Sequence, residues 1–208
     1  PPLSPDDEAL VAALQDAGNV VLAMEVVHEE VGGDEASGEL IAANFPLPDF
    51  EEAALALSSV NLPKDLDGVA RRYLTSVTHQ DVVWPSTALR LVSVHQHVDP
   101  EVLEREVLTG ARSDHPALPA YDFLINYRAP VGRGFGRIPY YRALSGEFDH
   151  AQVRGKIVLL GATARSLQDL HDTPVSLRGI PGSSQNVAPM PGVEIIASAT
   201  DTVLRRAW

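Results

Sequence analysis

The sequence predicts an α/β fold with a central, mostly parallel sheet flanked by helices, and three stretches carry that expectation. Ile157-Val-Leu-Leu160 is a short apolar run of the kind a strand covered on both faces tolerates. Gly161 follows at once, where a tight turn or close backbone approach needs a residue without Cβ, and then come the small residues Ala162, Thr163 and Ala164. A buried strand emptying into a small, polar loop is how open α/β sheets build binding crevices. The second stretch, near the N-terminus, runs from a helical stripe through a Gly turn into an apolar strand, which is half of an α/β unit. The third, Gly192-Val-Glu-Ile-Ile196, opens a final helix that continues through Leu204, with Arg205 and Arg206 in its last turn.

Taken in order, Ser4 is an N-cap, Pro5 the first helical position, and Asp6, Asp7 and Glu8 an acidic first turn. Leu10, Val11 and Leu14 give that helix its core-facing spacing, Gly18-Asn19 ends it, and Val20 to Met24 reads as a buried strand. No strand precedes the helix, so the first strand of the full domain is expected to be missing. Glu29 to Ala43, acidic and containing Gly32-Gly33, reads as a loop. An Ala-rich helix is expected over about Phe50 to Leu57. Ser59-Val-Asn61 reads as a short strand, Asp67-Gly68 as a hairpin turn, and Val69 to Thr75 as its return strand. Another helix is expected over about Pro85 to His95, then a strand over Phe123 to Tyr127. A flexible basic loop, Pro130 to Arg137, leads to a short helix before Gly146, and a Gly/Pro/Ser-rich loop follows Pro174.

Composition bounds the function. The 208 residues, 45% hydrophobic and 21% charged, suit one globular domain spanning 1–208. Sixteen basic against 28 acidic residues leave a net charge of −12, which argues against nucleic acid or an anionic membrane surface as partner. With no cysteine, disulfides, thiolate metal sites and cysteine nucleophiles are excluded. No apolar run approaches a membrane span.

Several polar groups are candidates for chemistry. His95-Gln-His97, with Asp99, would share a face in an extended segment and suit a metal, whereas a helix end there would separate them. Asp169, His171 and Asp172 form the densest acid/His group and stand, with Thr173, after the expected central strand, where they suit a metal, a polar ligand or an acid/base pair. The plain alternative is a solvated loop whose Asp caps a turn. Asn126 and Arg128, two apart on an expected strand, share a face. Arg71 and Arg72 suit an anion or ordinary surface ion pairs. No phosphate loop, dinucleotide fingerprint, nucleophile elbow or His-Glu-x-x-His helix occurs, which weakens an enzymatic reading.

Five segments in order resemble the type-two CHASE family. They are Asn61-Leu-Pro63; Asp67-Gly-Val-Ala-Arg-Arg72; Phe123-Leu-Ile-Asn-Tyr-Arg128; Gly155-Lys-Ile-Val-Leu-Leu-Gly161 with Asp169-Leu-His-Asp-Thr-Pro174; and Met190-Pro-Gly-Val-Glu-Ile-Ile-Ala197. These are cyclase- and histidine-kinase-associated sensory extracellular domains of bacterial receptors. The resemblance implies an extracytoplasmic sensor, with no catalytic residue, metal or cofactor of its own, following one transmembrane helix and usually preceding several more. The implied output is an adenylate or guanylate cyclase, a histidine kinase or a serine/threonine kinase. The resemblance carries over no binding residues; from their place around the expected crevice, Asn126, Arg128, Asp169, His171, Asp172 and Thr173 are the expected ligand-binding residues. The partner is an unidentified small molecule or other stimulus, and a homodimer is compatible. The rival readings are a metal-assisted hydrolase using Asp169 and His171, and a dimerisation scaffold that binds no ligand.

Overall fold

Helix α1 (Pro5–Ala17) begins and ends on its signals. Ser4 Oγ accepts the Asp7 N–H at 3.2 Å while the Asp7 carboxylate accepts the Ser4 N–H at 3.1 Å, a reciprocal capping box. Gly18, at φ 59°, closes the helix in the left-handed region. The structure is a computed structural model describing residues 3–31, 38–114, 121–177 and 188–208. Gly32-Gly33, the residues before Tyr121, and most of the Gly/Pro/Ser-rich loop after Pro174 lie outside the described residues.

Strand β1 (Val21–Val31) is longer than the sequence suggests. It pairs antiparallel with β2 (Gly38–Asn44), from Glu25 opposite Asn44 to Val31 opposite Gly38. The acidic stretch expected to be a loop from Glu29 to Ala43 therefore supplies most of a hairpin. Helix α2 (Pro48–Ala53) stops four residues short of Leu57, because strand β3 (Ala56–Ser59) starts at once and pairs parallel with Val21 to Met24. Just past β3, the Asn61 side chain extends the pairing. Its Oδ1 accepts the Val26 N–H at 2.9 Å and its Nδ2 donates to the Val26 carbonyl at 2.6 Å.

The turn at Asp67-Gly68 forms, but not the hairpin expected from it. Strand β4 (Arg72–Leu74) pairs antiparallel with β7 (Asp122–Leu124), some fifty residues on, instead of with Ser59 to Asn61. The hairpin lies further along, in β5 (Ser76–His79) and β6 (Val82–Pro85). Gln80 and Asp81 join them at φ 50° and 63°, both left-handed, as the right-handed twist of a tight hairpin demands. Helix α3 (Thr87–Gln96) and helix α4 (Pro100–Asp114) follow before β7. The short helix α5 (Tyr140–Ser145) and two 3₁₀ turns, His150–Gln152 and Arg165–Leu167, come next. Then come β8 (Leu170–His171), α6 (Pro174–Leu177), β9 (Met190–Pro191), antiparallel to β8, and α7 (Gly192–Arg205).

The fold is α/β, but the central, mostly parallel sheet expected from the sequence is not what the described residues form. They form four small sheets, and only β1 with β3, plus a bridge from Ser59 to Ser86, runs parallel. The segment expected to be the central strand is the largest correction. Residues 157–160 belong to no strand, and Val158 and Leu160 are 61% and 81% exposed. An apolar run states that a segment can be buried; it does not supply neighbours, and β1 takes β3 on one side and β2 on the other. Gly161 nevertheless meets its expectation of close approach, since a Cβ there would lie 2.5 Å from Val193 Cβ.

The main core lies between α3, α4, α7 and the β4–β7 pair. Tyr73 and Phe123 meet edge-on with ring centroids 6.2 Å apart, and Leu89, Val92, Val107, Met190, Ile195, Ala199 and Val203 close around them. A smaller cluster of Met24, Val26 and Leu57 sits under Trp84.

Candidate ligand cleft

Helix α7 presents two stripes. Ile195, Ala199 and Val203, four apart, turn into the core. Glu194, Ser198, Asp201 and Arg205 fall on another face and line a cleft of about 350 Å³. The facing wall is the extended chain after β7 and the turn that follows, with Asn126, Arg128, Pro130, Arg133 and Phe135.

That wall is fastened to α7 at three points. The Asn126 N–H donates to Thr202 Oγ1 at 2.9 Å, while Thr202 Oγ1 itself donates to the Ser198 carbonyl at 2.8 Å. Arg128 lies 3.4 Å from one oxygen of the Asp201 carboxylate, whose other oxygen takes Arg205 Nε at 2.7 Å. Gly132, at φ +75°, turns its N–H onto Glu194 Oε2 at 3.0 Å, and the Arg137 guanidinium meets Oε1 of the same carboxylate. The buried Glu194 charge is thus both paired and hydrogen-bonded, as burial of a carboxylate requires.

Of the six residues expected to bind ligand, Asn126 and Arg128 line this cleft. Asp169 and His171 stand beside the first turn of α7. The Asp169 carbonyl accepts the Gly192 N–H at 3.2 Å, and its carboxylate lies 2.5 Å from where a Cβ on residue 192 would stand, so any side chain there would push the carboxylate aside. A carboxylate beside a helix N-terminus is favourably placed against the helix dipole. His171 Nε2 is 2.9 Å from Asp169 Oδ1, and its Nδ1 is buried without a partner among the described residues. The Asp172 carbonyl accepts the Ala70 N–H at 2.8 Å while the side chain is exposed. Thr173 is fully buried and caps α6, its Oγ1 2.7 Å from Ser176 Oγ. The six do not converge on one point. Asn126 and Arg128 fall beside the second half of α7, Asp169 and His171 beside its first turn, Asp172 at the surface and Thr173 inside the fold.

Other candidates resolve locally. His95 sits in the last turn of α3 and His97 is its left-handed cap, at φ 56°, so the helix end separates them. Among the described residues, no three His, Asp or Glu side chains are grouped to hold a metal ion. Arg71 and Arg72 are taken up in ion pairs. Arg71 bonds Asp65 and Asp67 at 2.7 Å each, and Arg72 bonds Asp65 at 2.8 Å and also Asp122. The Arg71 hydrogen bonds hold the Asp65 carboxyl below its ordinary range and the Asp67 carboxyl down to about 2. Burial pushes the Asp122 carboxyl up, against the pull of Arg72.

The residues missed in the sequence are Arg133, Arg137, Glu194, Asp201 and Arg205. The signal for three of them was present, because Glu194, Ser198, Asp201 and Arg205 recur at helical spacing on a helix otherwise rich in Ile, Ala and Val. No helix among the described residues is long and apolar enough to cross a membrane. A family model described as the CHASE2 domain matches residues 2–208, which is nearly the whole chain. No curated protein and no solved structure matches.

Proposed function

Because the chain belongs to the CHASE2 domain family, a family of extracytoplasmic, non-catalytic sensory domains of signalling receptors, we propose that it is the stimulus-binding module of a bacterial transmembrane receptor whose output is a cyclase or a protein kinase. The ligand site in this reading is the cleft along α7, with Asn126 and Arg128 contacting a small polar molecule. Asp169 and His171 steady the first turn of the same helix. The observation that carries the reading is the fastening of the cleft wall to α7 through Asn126–Thr202 and Arg128–Asp201. A ligand that draws Arg128 away from Asp201 changes the packing of α7, and a ligand shifts such an equilibrium by as much as it prefers one state. Helix α7 then relays the change as a tilt or a dimer contact.

The test is a thermal-shift screen of polar metabolites on the 208-residue chain. A molecule at a hundred times its dissociation constant stabilises the fold by about 2.7 kcal/mol, a rise of several degrees in Tm. Arg128→Ala is expected to abolish that rise. A screen in which nothing raises Tm, or a rise that Arg128→Ala leaves intact, contradicts the proposed site.

A further inference from the structure

The charge of the chain is segregated. Residues 1–63 hold thirteen acidic side chains and neither Lys nor Arg, whereas residues 128–168 hold seven basic and two acidic side chains. One wall of the cleft, from Arg128 to Phe135, lies in the basic part. Both of its carboxylates already have cations: Glu194 has Arg137, and Asp201 has Arg205 at 2.7 Å. Two guanidinium groups remain. Arg128 reaches Asp201 only at 3.4 Å, and Arg133 has no carboxylate partner among the described residues. Beside them, the exposed side-chain amide of Asn126 makes no hydrogen bond among the described residues.

We infer that this cleft takes a small organic anion, its carboxylate or phosphate oxygens held by Arg128 and Arg133 with Asn126 as a further donor. The inference rests on the sensory reading above and supplies the ligand class. Guanidinium groups present planar pairs of donors that match carboxylate and phosphate oxygens. A local excess of positive charge within a chain of net charge −12 concentrates anions at that spot. Ala129, Pro130, Phe135 and Met190 supply an apolar lining for a carbon skeleton, which an inorganic ion does not use. The volume, about 350 Å³, lies at the small end of pockets that enclose organic ligands, roughly 300–1,000 Å³.

The experiment is calorimetric titration of the chain with succinate, citrate, a small organic phosphate (glycerol 3-phosphate), inorganic phosphate and putrescine at low ionic strength. At least one organic anion is expected to bind more tightly than inorganic phosphate, more weakly as salt is added, and at least tenfold more weakly in Arg133→Gln. Arg133→Lys is expected to fall between the two. Arg165→Gln, an exposed arginine outside the cleft, is expected to stay within twofold of the unaltered chain and so controls for net charge. The carboxylates and the organic phosphate tell the two oxygen sources apart. Inorganic phosphate binding as tightly as every organic anion overturns the organic class. Putrescine binding while every anion fails overturns the anionic class and leaves the cleft as the site. Unaltered anion affinity in Arg133→Gln overturns the placement. Binding by no probe, together with salt-sensitive self-association that Arg133→Gln abolishes, overturns the inference in favour of the acidic half of a second copy as occupant. Binding by no probe without self-association overturns it as well. The sensory reading itself fails only if the broader metabolite screen is also blank.

Discussion

Two parts of the molecule have similar apolar residues and opposite surroundings. In the part built from α3, α4, α7 and the β4–β7 pair, Tyr73, Phe123, Leu89, Val107 and Ile195 are sealed from water, each by residues distant in sequence. In residues 129–168, Phe135, Tyr140, Tyr141, Leu144, Val158 and Leu160 all stand exposed. Helix α5 has no buried residue, although its own capping is sound, with Gly146 at φ 71° closing it. Local structure forms in both parts, and only the first has opposing faces to bury. The polar stripe of α7 lies along the boundary between them, one side in the core and the other on the basic segment. Helix α7 is thus in contact with both the stable and the solvent-facing part.

The largest expected difference is in the core. Phe123→Ala removes a ring stacked edge-on against Tyr73 and should cost about 3–5 kcal/mol in urea unfolding. A cost below about 1 kcal/mol would mean that the packed part is not where stability resides. Next is Arg72→Met, which leaves the Asp122 carboxylate, 5% exposed, without its cation and should cost about 3 kcal/mol. Asp122→Asn should cost less, about 1 kcal/mol, because Arg72 keeps Asp65. If the two variants are equally stable, the pair does not tie β4 to β7.

Acid titration sharpens the comparison further. Asp65 and Asp67 have folded pKa values below their unfolded ones, so their contribution is present above about 4 and lost as pH falls through their folded values, toward about 2 for Asp67. Asp122 works in the opposite sense, since its raised pKa means that stability falls as pH rises through its folded value. Arg71→Gln should flatten the loss of stability between about pH 4 and 2 while leaving the Asp122 titration in place, read residue by residue by carboxyl NMR. Unchanged acid sensitivity would remove the Asp65–Asp67–Arg71 cluster from the account. The smallest effect belongs to the exposed segment. Leu160→Ser should change stability by less than about 0.5 kcal/mol, and a loss of 2 kcal/mol or more would show that something covers residues 157–160.

How much of this was legible follows from what each signal encodes. The capping box at Ser4 and Asp7, the Gly18 stop and the stripe of α7 are local patterns, and each element formed where its pattern lay. Pairing is not local. Nothing in Arg72 to Leu74 names Asp122 to Leu124 as a partner, and the Asp67-Gly68 turn pointed to the wrong partner for a strand that does form. The β5–β6 hairpin was hidden because Gln80-Asp81 fills the left-handed turn positions without the usual glycine. Helix α4 showed its stripe in Leu103, Val107 and Ala111 and could have been read. In the cleft, the two-residue spacing of Asn126 and Arg128 was readable. Arg133 and Arg137, within what reads as a basic loop, acquire meaning only once α7 lies opposite.

Whether α7 senses what occupies the cleft is tested most directly by amide hydrogen exchange. With succinate at saturation, exchange should slow along α7 from Glu194 to Arg205 and at residues 126–134, while the β5–β6 hairpin stays unchanged. Succinate bound with α7 exchanging as fast as before would contradict it.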